Sequence, residues 1–166
     1  MRSVVLAAAL ALAGGSSALA APGPTPAQVQ VAIGPELQAK AEKTYGVRDV
    51  RDLADELKQQ VERRLARTGA YAGARIELTL ADATPNRPTF KQLGDKPGLS
   101  FESFGVGGAR IEGRVVAPDG KVTPLSYRYY ETDIRYARHQ STWADAQWTI
   151  QRFAYRLGDG ATLASR

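Results

Sequence analysis

Two helical stripes dominate the pattern of apolar and polar positions. Val50, Leu53, Leu57, Val61 and Leu65 step by three, four, four and four, which puts all five on one side of a helix over Val47 to Thr68. Asp49 and Asp52 sit near its start and Arg63, Arg64 and Arg67 near its end, as the helix dipole favours, and Gly69 supplies a stop. Trp143, Ala146, Ile150, Phe153 and Leu157 step by three, four, three and four, which predicts a last helix beginning near Thr142 and stopped by Gly158. Thr142 is the expected cap of that helix, with Asp145 as its short capping-box partner. A shorter helix from Glu36 to about Tyr45 is expected between Pro35 and Gly46.

Between these stripes the period changes to two. Val29, Val31 and Ile33 alternate with Gln28, Gln30 and Ala32 in a first strand. Ile76, Leu78 and Leu80 do the same within Arg75 to Ala83, and Ile111, Gly113 and Val115 within Ala109 to Val116. Pro118-Asp119-Gly120 turns the chain into a fourth strand from Val122 to Glu131, where Pro124 demands a bulge or a sheet edge. Strands that alternate in this way are buried on one face only. The predicted class is therefore α+β: a two-layer α/β sandwich of about four mostly antiparallel strands, with two amphipathic helices on one face, in a single domain over residues 28–158.

The ends of the chain read differently. Arg2, an apolar run from Val4 to Ala13, and Ala18-Leu19-Ala20 have the form of a cleavable secretory signal over residues 1–20. Ten apolar residues are too few to span a bilayer, so cleavage near Ala20 and a periplasmic location are expected, with no membrane span in the mature chain. Residues 21–27, with three prolines, form an expected flexible leader, and residues 159–166 an expected disordered tail.

Composition narrows the chemistry. The sequence has no cysteine, which excludes disulfides, thiol catalysis, cysteine-bound zinc and an N-terminal lipidated cysteine. The net charge of +5 is spread among mixed signs; residues 36–67 hold eight basic and seven acidic side chains, so no stripe marks a nucleic-acid partner. His139 is the single histidine, in a polar connection before the last helix. No metal site and no cofactor is expected.

One stretch fits no scaffold period: Pro85 to Gly108, reading PNRPTFKQLGDKPGLSFESFGVGG. Loops of such length are uncommon in compact domains and tend to be functional. Its phenylalanines and leucines argue for an ordered loop at the rim of the sandwich, and Asp82 beside Arg87 suggests an ion pair holding it. Gly105, Gly107 and Gly108, with Arg87, Lys91 or Lys96, could offer amides and charge to an anion. Asp82, Glu102, Glu131 and Asp133 are loop or strand-end carboxylates available to a hydrolase. Trp148 and Tyr155 lie off the apolar stripe of the last helix; Trp148 is expected either on a partner surface or packed on the loop with its indole N–H bonded to a loop carbonyl.

The segments Asp82-Ala83-Thr84-Pro85-Asn86-Arg87-Pro88-Thr89-Phe90, Gly107-Gly108-Ala109 and Thr142-Trp143-Ala144-Asp145-Ala146 together resemble a family of small exported proteobacterial proteins of unknown function, over roughly Gly34 to Leu157. The resemblance implies a periplasmic protein and transfers no catalytic residue. The reading leans away from an enzyme, toward a non-enzymatic envelope domain that binds another envelope protein or a copy of itself through Asn86, Arg87, Phe90, Lys91 and Trp148. A hydrolase of an envelope polymer and a small-anion binder are the alternatives.

Overall fold

A computed structural model describes residues 25–160 and Leu163; the expected signal segment and the leader up to residue 24 lie outside the described residues. The elements run β1 (Gln28–Ile33), α1 (Pro35–Lys40) continued by a π-helical turn (Ala41–Tyr45), α2 (Val47–Thr68), β2 (Arg75–Thr84), α3 (Phe90–Asp95), β3 (Gly108–Val116), β4 (Val122–Tyr130), a 3₁₀ turn (Ile134–Tyr136) and α4 (Ala144–Gly158). The four strands form one sheet in the order β1-β2-β3-β4. β1 pairs with β2 in parallel, across the crossover through α2, whereas β2, β3 and β4 are antiparallel neighbours.

Both stripes face the same side of the sheet. Leu57 and Ile150 are fully buried, in one cluster with Ile76, Leu78, Leu80, Ile111, Val115 and Leu125. The predicted α+β two-layer sandwich is the observed fold. Glycine closes α2 as expected: Gly69 takes a left-handed conformation (φ 68°) and donates its amide to the Leu65 carbonyl. Pro124 lies on β4, the edge strand, where no neighbouring strand needs its missing N–H.

A bulge in β2 decides where Asp82 points. Strict alternation after Ile76, Leu78 and Leu80 would turn Asp82 into the core. The register slips between Leu80 and Asp82, so that Ala83 continues the buried face opposite Ala109 and Asp82 falls opposite Arg110 on the open face. There Asp82 accepts from Lys40 Nζ at 2.7 Å and from the Tyr130 hydroxyl at 2.9 Å. Asp82 therefore pairs with Lys40 and not with Arg87, which corrects the expected loop ion pair. The rest of the open face is polar, with Glu77 held between Arg75 (2.7 Å) and Arg114 (2.6 Å).

Three described residues near the ends of the sequence, Thr25, Ala27 and Leu163, make contacts with the domain. Gly73 donates to the Thr25 carbonyl at 2.8 Å, and Ala27 packs against the core. Leu163 is buried, and its carbonyl accepts from the Ser126 amide on the free edge of β4 at 2.6 Å. Among the described residues no helix is long and apolar enough to cross a membrane.

Candidate functional site

The 85–108 segment is ordered around a buried polar pair. Asn86 is 2% exposed and Asp145 is 0% exposed. Asn86 Nδ2 donates to Asp145 Oδ2 at 2.6 Å, and the Asp145 amide donates back to Asn86 Oδ1 at 2.8 Å. The remaining capacity of the carboxylate is filled by the Gly107 amide at 3.2 Å, the Arg138 amide at 3.3 Å and the Arg138 guanidinium at 3.1 Å. A carboxylate held by this many donors meets the requirement for burying a charge. The second Asn86 hydrogen donates to the Gly105 carbonyl at 3.1 Å, while the Gly105 amide donates to the Asn86 carbonyl at 2.7 Å. The Asn86 amide in turn donates to the Thr142 carbonyl at 2.7 Å. One asparagine thus ties both ends of the segment to the start of α4.

This geometry corrects two expectations. α4 starts at Ala144 with Trp143 at its cap position, so Thr142 caps nothing and Asp145 is a buried acceptor for the loop. The glycine-rich stretch already holds an anion, the protein's own: Gly107 donates to Asp145, and Gly105 is spent on Asn86. Gly107 has no room for a side chain, since a Cβ there would lie 2.6 Å from Asn86 Oδ1 and 2.8 Å from the Thr84 carbonyl.

Sequence periodicity missed α3, which is only six residues long. Its signal was nevertheless in the sequence: Thr89-x-x-Gln92 is a capping box, with Thr89 Oγ1 accepting from the Gln92 amide at 3.3 Å and Gln92 Oε1 accepting from the Thr89 amide at 3.1 Å. Thr89 is buried, and Phe90, the next residue, is turned outward at 78% exposure. Phe101 is 64% exposed and meets Phe90 edge to face with centroids 6.0 Å apart. Phe104 is also exposed, and it stacks on the His139 ring at 4.8 Å. His139 Nδ1 lies 3.1 Å from the Ala137 carbonyl, so the lone histidine braces this connection.

Arg87 bridges the connection before α4 and the far part of its own segment. Its Nε donates to the His139 carbonyl at 2.6 Å and its Nη1 to the Phe101 carbonyl. Arg87, Phe90, Phe101, Ser141, Trp143 and Asp49 line a cleft of about 290 Å³ between this segment and the first turn of α2. Burial, with Asp52 nearby, pushes the Asp49 carboxyl above its ordinary value.

The five residues singled out from sequence do not all meet here. Arg87 and Phe90 share the cleft, and Asn86 stands behind it as a buried support. Lys91 is paired with Asp95 across one turn of α3 at 2.7 Å. Trp148 is elsewhere, half-buried on α4 between the guanidinium groups of Arg138 (4.0 Å) and Arg152 (4.5 Å), with Tyr129 at 4.6 Å. It packs on β4 and its own helix, not on the loop.

The carboxylates offered for hydrolysis are scattered. Asp82 is bound to Lys40 and Tyr130, and Glu102 is exposed on the loop. Hydrogen bonds from Tyr129 and from the Asp133 and Thr132 amides hold Glu131 below its ordinary pKa, and Arg135 does the same to Asp133. A general acid needs a shift in the opposite direction. Among the described residues no three histidine or acidic side chains are grouped to hold a metal ion.

No family model and no curated protein matches the chain. Among solved structures, it is similar to a minor lipoprotein from Acinetobacter baumannii, at 12% identity over 80% of this chain and 88% of that one, with a TM-score of 0.36. It is also similar to a proposed lipoprotein from Caulobacter crescentus, at 17% identity over 81% of this chain and 82% of that one, with a TM-score of 0.30.

Proposed function

We propose that the chain is an exported, non-enzymatic binding domain of the cell envelope that docks a protein partner through the 85–108 segment. The carrying observation is the outward display of Phe90, Phe101 and Phe104 by a segment whose backbone is fixed from beneath by Asn86 and Asp145. A flexible loop would fold such side chains inward or lose order. Here ordering is achieved by buried polar bonds, which leaves the rings free to cover and be covered. Pre-organised aromatic side chains around a concave site are the usual anchors of protein interfaces. Export rests on the form of residues 1–20.

The test is site-specific photocrosslinking in cells of the native source. A crosslinker replacing Phe101 should capture one discrete protein, and Phe90→Ser together with Phe104→Ser should abolish the capture. A crosslinker replacing Lys121, in the β3–β4 turn, is the control. Equal capture from both positions, or none from position 101, would overturn the reading.

A further inference from the structure

We infer that the cleft beside this face seats the C-terminal residue of the partner chain, with its carboxylate on Arg87 and its apolar side chain against Phe90 and Phe101. The inference rests on the docking reading above and adds the chemistry of the anchor.

Arg87 carries a charge that the fold leaves unpaired among the described residues. Among the described residues its guanidinium donates to two backbone carbonyls and forms no salt bridge. Most other cations close to the segment are matched: Lys91 with Asp95, Arg138 with Asp145, Arg135 with Asp133. A guanidinium has five N–H donors, and two of those on Arg87 are used. The carbonyls fix its plane without neutralising it. A positioned fork with free donors and an uncompensated charge is suited to a carboxylate.

The walls and the far side of the cleft supply the rest. Phe90 and Phe101 are both largely exposed and already in edge-to-face contact, so an apolar side chain laid against them removes two rings from water. Asp49 makes no side-chain hydrogen bond and no salt bridge among the described residues, and it is the one carboxylate lining the cleft. It can accept the peptide N–H of the incoming residue. A chain end carries that N–H, an apolar side chain and a carboxylate on a single carbon. An internal glutamate or aspartate offers its carboxylate without an apolar side chain of its own, and the cleft, at about 290 Å³, is small.

N-acetyl-glycyl-phenylalanine and its carboxamide are titrated into the full chain, read by tryptophan fluorescence, since Trp143 lines the cleft, and by amide NMR shifts. The free acid should bind saturably and at least about tenfold more tightly than the carboxamide, which is about 1.4 kcal/mol. Arg87→Gln should reduce the acid to the affinity of the carboxamide while leaving the carboxamide unchanged; Phe90→Ala should weaken both equally. Matching affinities of acid and carboxamide in the wild-type chain, or no response to either up to about 10 mM, would overturn the inference. The comparison of two probes on the unaltered chain does not depend on any variant folding. If position 101 crosslinks a partner while acid and carboxamide bind alike, the docking face stands and this anchor fails. If no partner is captured, the docking face itself fails.

Discussion

The sheet with its two long helices and the 85–108 segment are ordered by opposite means. Beneath α2 and α4 the contacts are apolar and numerous: Leu57, Ile150, Phe153 and Leu157 are fully buried against Ile76, Leu80 and Ile111. Under the 85–108 segment the fully buried side chains are polar, Asn86 and Thr89, closed by Asp145. Apolar packing is distributed and roughly proportional to area, so losing one contact is costly but leaves the arrangement intact. A buried hydrogen-bonded pair is concentrated: each partner left alone is an unsatisfied group, so one substitution releases the whole segment. The difference also explains why aromatic rings are free on one region and consumed on the other.

Substitutions in the two regions should differ in both size and signature. Phe153→Ala should cost about 3–5 kcal/mol of global stability, seen as one cooperative unfolding transition shifted to lower denaturant. Asn86→Ala should cost about 2–3 kcal/mol, because Asp145 Oδ2, the Asp145 amide and the Gly105 carbonyl all lose a partner. Unlike Phe153→Ala, it should make the segment sensitive to proteolysis near Gly98 before the core unfolds. Gly107→Ala should cost about 1–2 kcal/mol by forcing a Cβ against Asn86 Oδ1, with the same local signature.

The smallest effect lies on the open face of the sheet, in the hydrogen-bonded group around Asp82. Its hydrogen bond to Asp82 raises the pKa of Lys40, and burial together with a hydrogen bond to Asp82 raises that of Tyr130. Both groups are protonated when they stabilise the fold, so their contribution is complete below pH 10 and declines as the pH rises past the ordinary tyrosine and lysine values. Tyr130→Phe should therefore lower stability by about 1 kcal/mol at neutral pH and flatten its alkaline decline, as followed by denaturant melts across that range.

How much of this was legible in sequence follows from the same division. Period identified both helical stripes and all four strands, because apolar burial repeats with the geometry of the element. The parallel pairing of β1 and the bulge before Asp82 carry no periodic mark. The lock escaped for a related reason: Asn86 and Asp145 are 59 positions apart, and each looks like an ordinary turn or cap residue. Asp145 three residues after Thr142 matched a capping pattern that tertiary structure overrode. The Thr89-x-x-Gln92 box was readable and marked the one regular turn within the segment.

A buried asparagine–aspartate pair holds the 85–108 segment in place. Residue-resolved amide exchange of Gly105 and Gly107, compared between the wild-type chain and Asn86→Ala, tests it most directly. Exchange should be slow at both amides in the wild type and nearly free in the variant, while Ile111 and Phe153 stay protected. Free exchange at Gly105 and Gly107 in the wild type, or undiminished protection after Asn86 is removed, would contradict it.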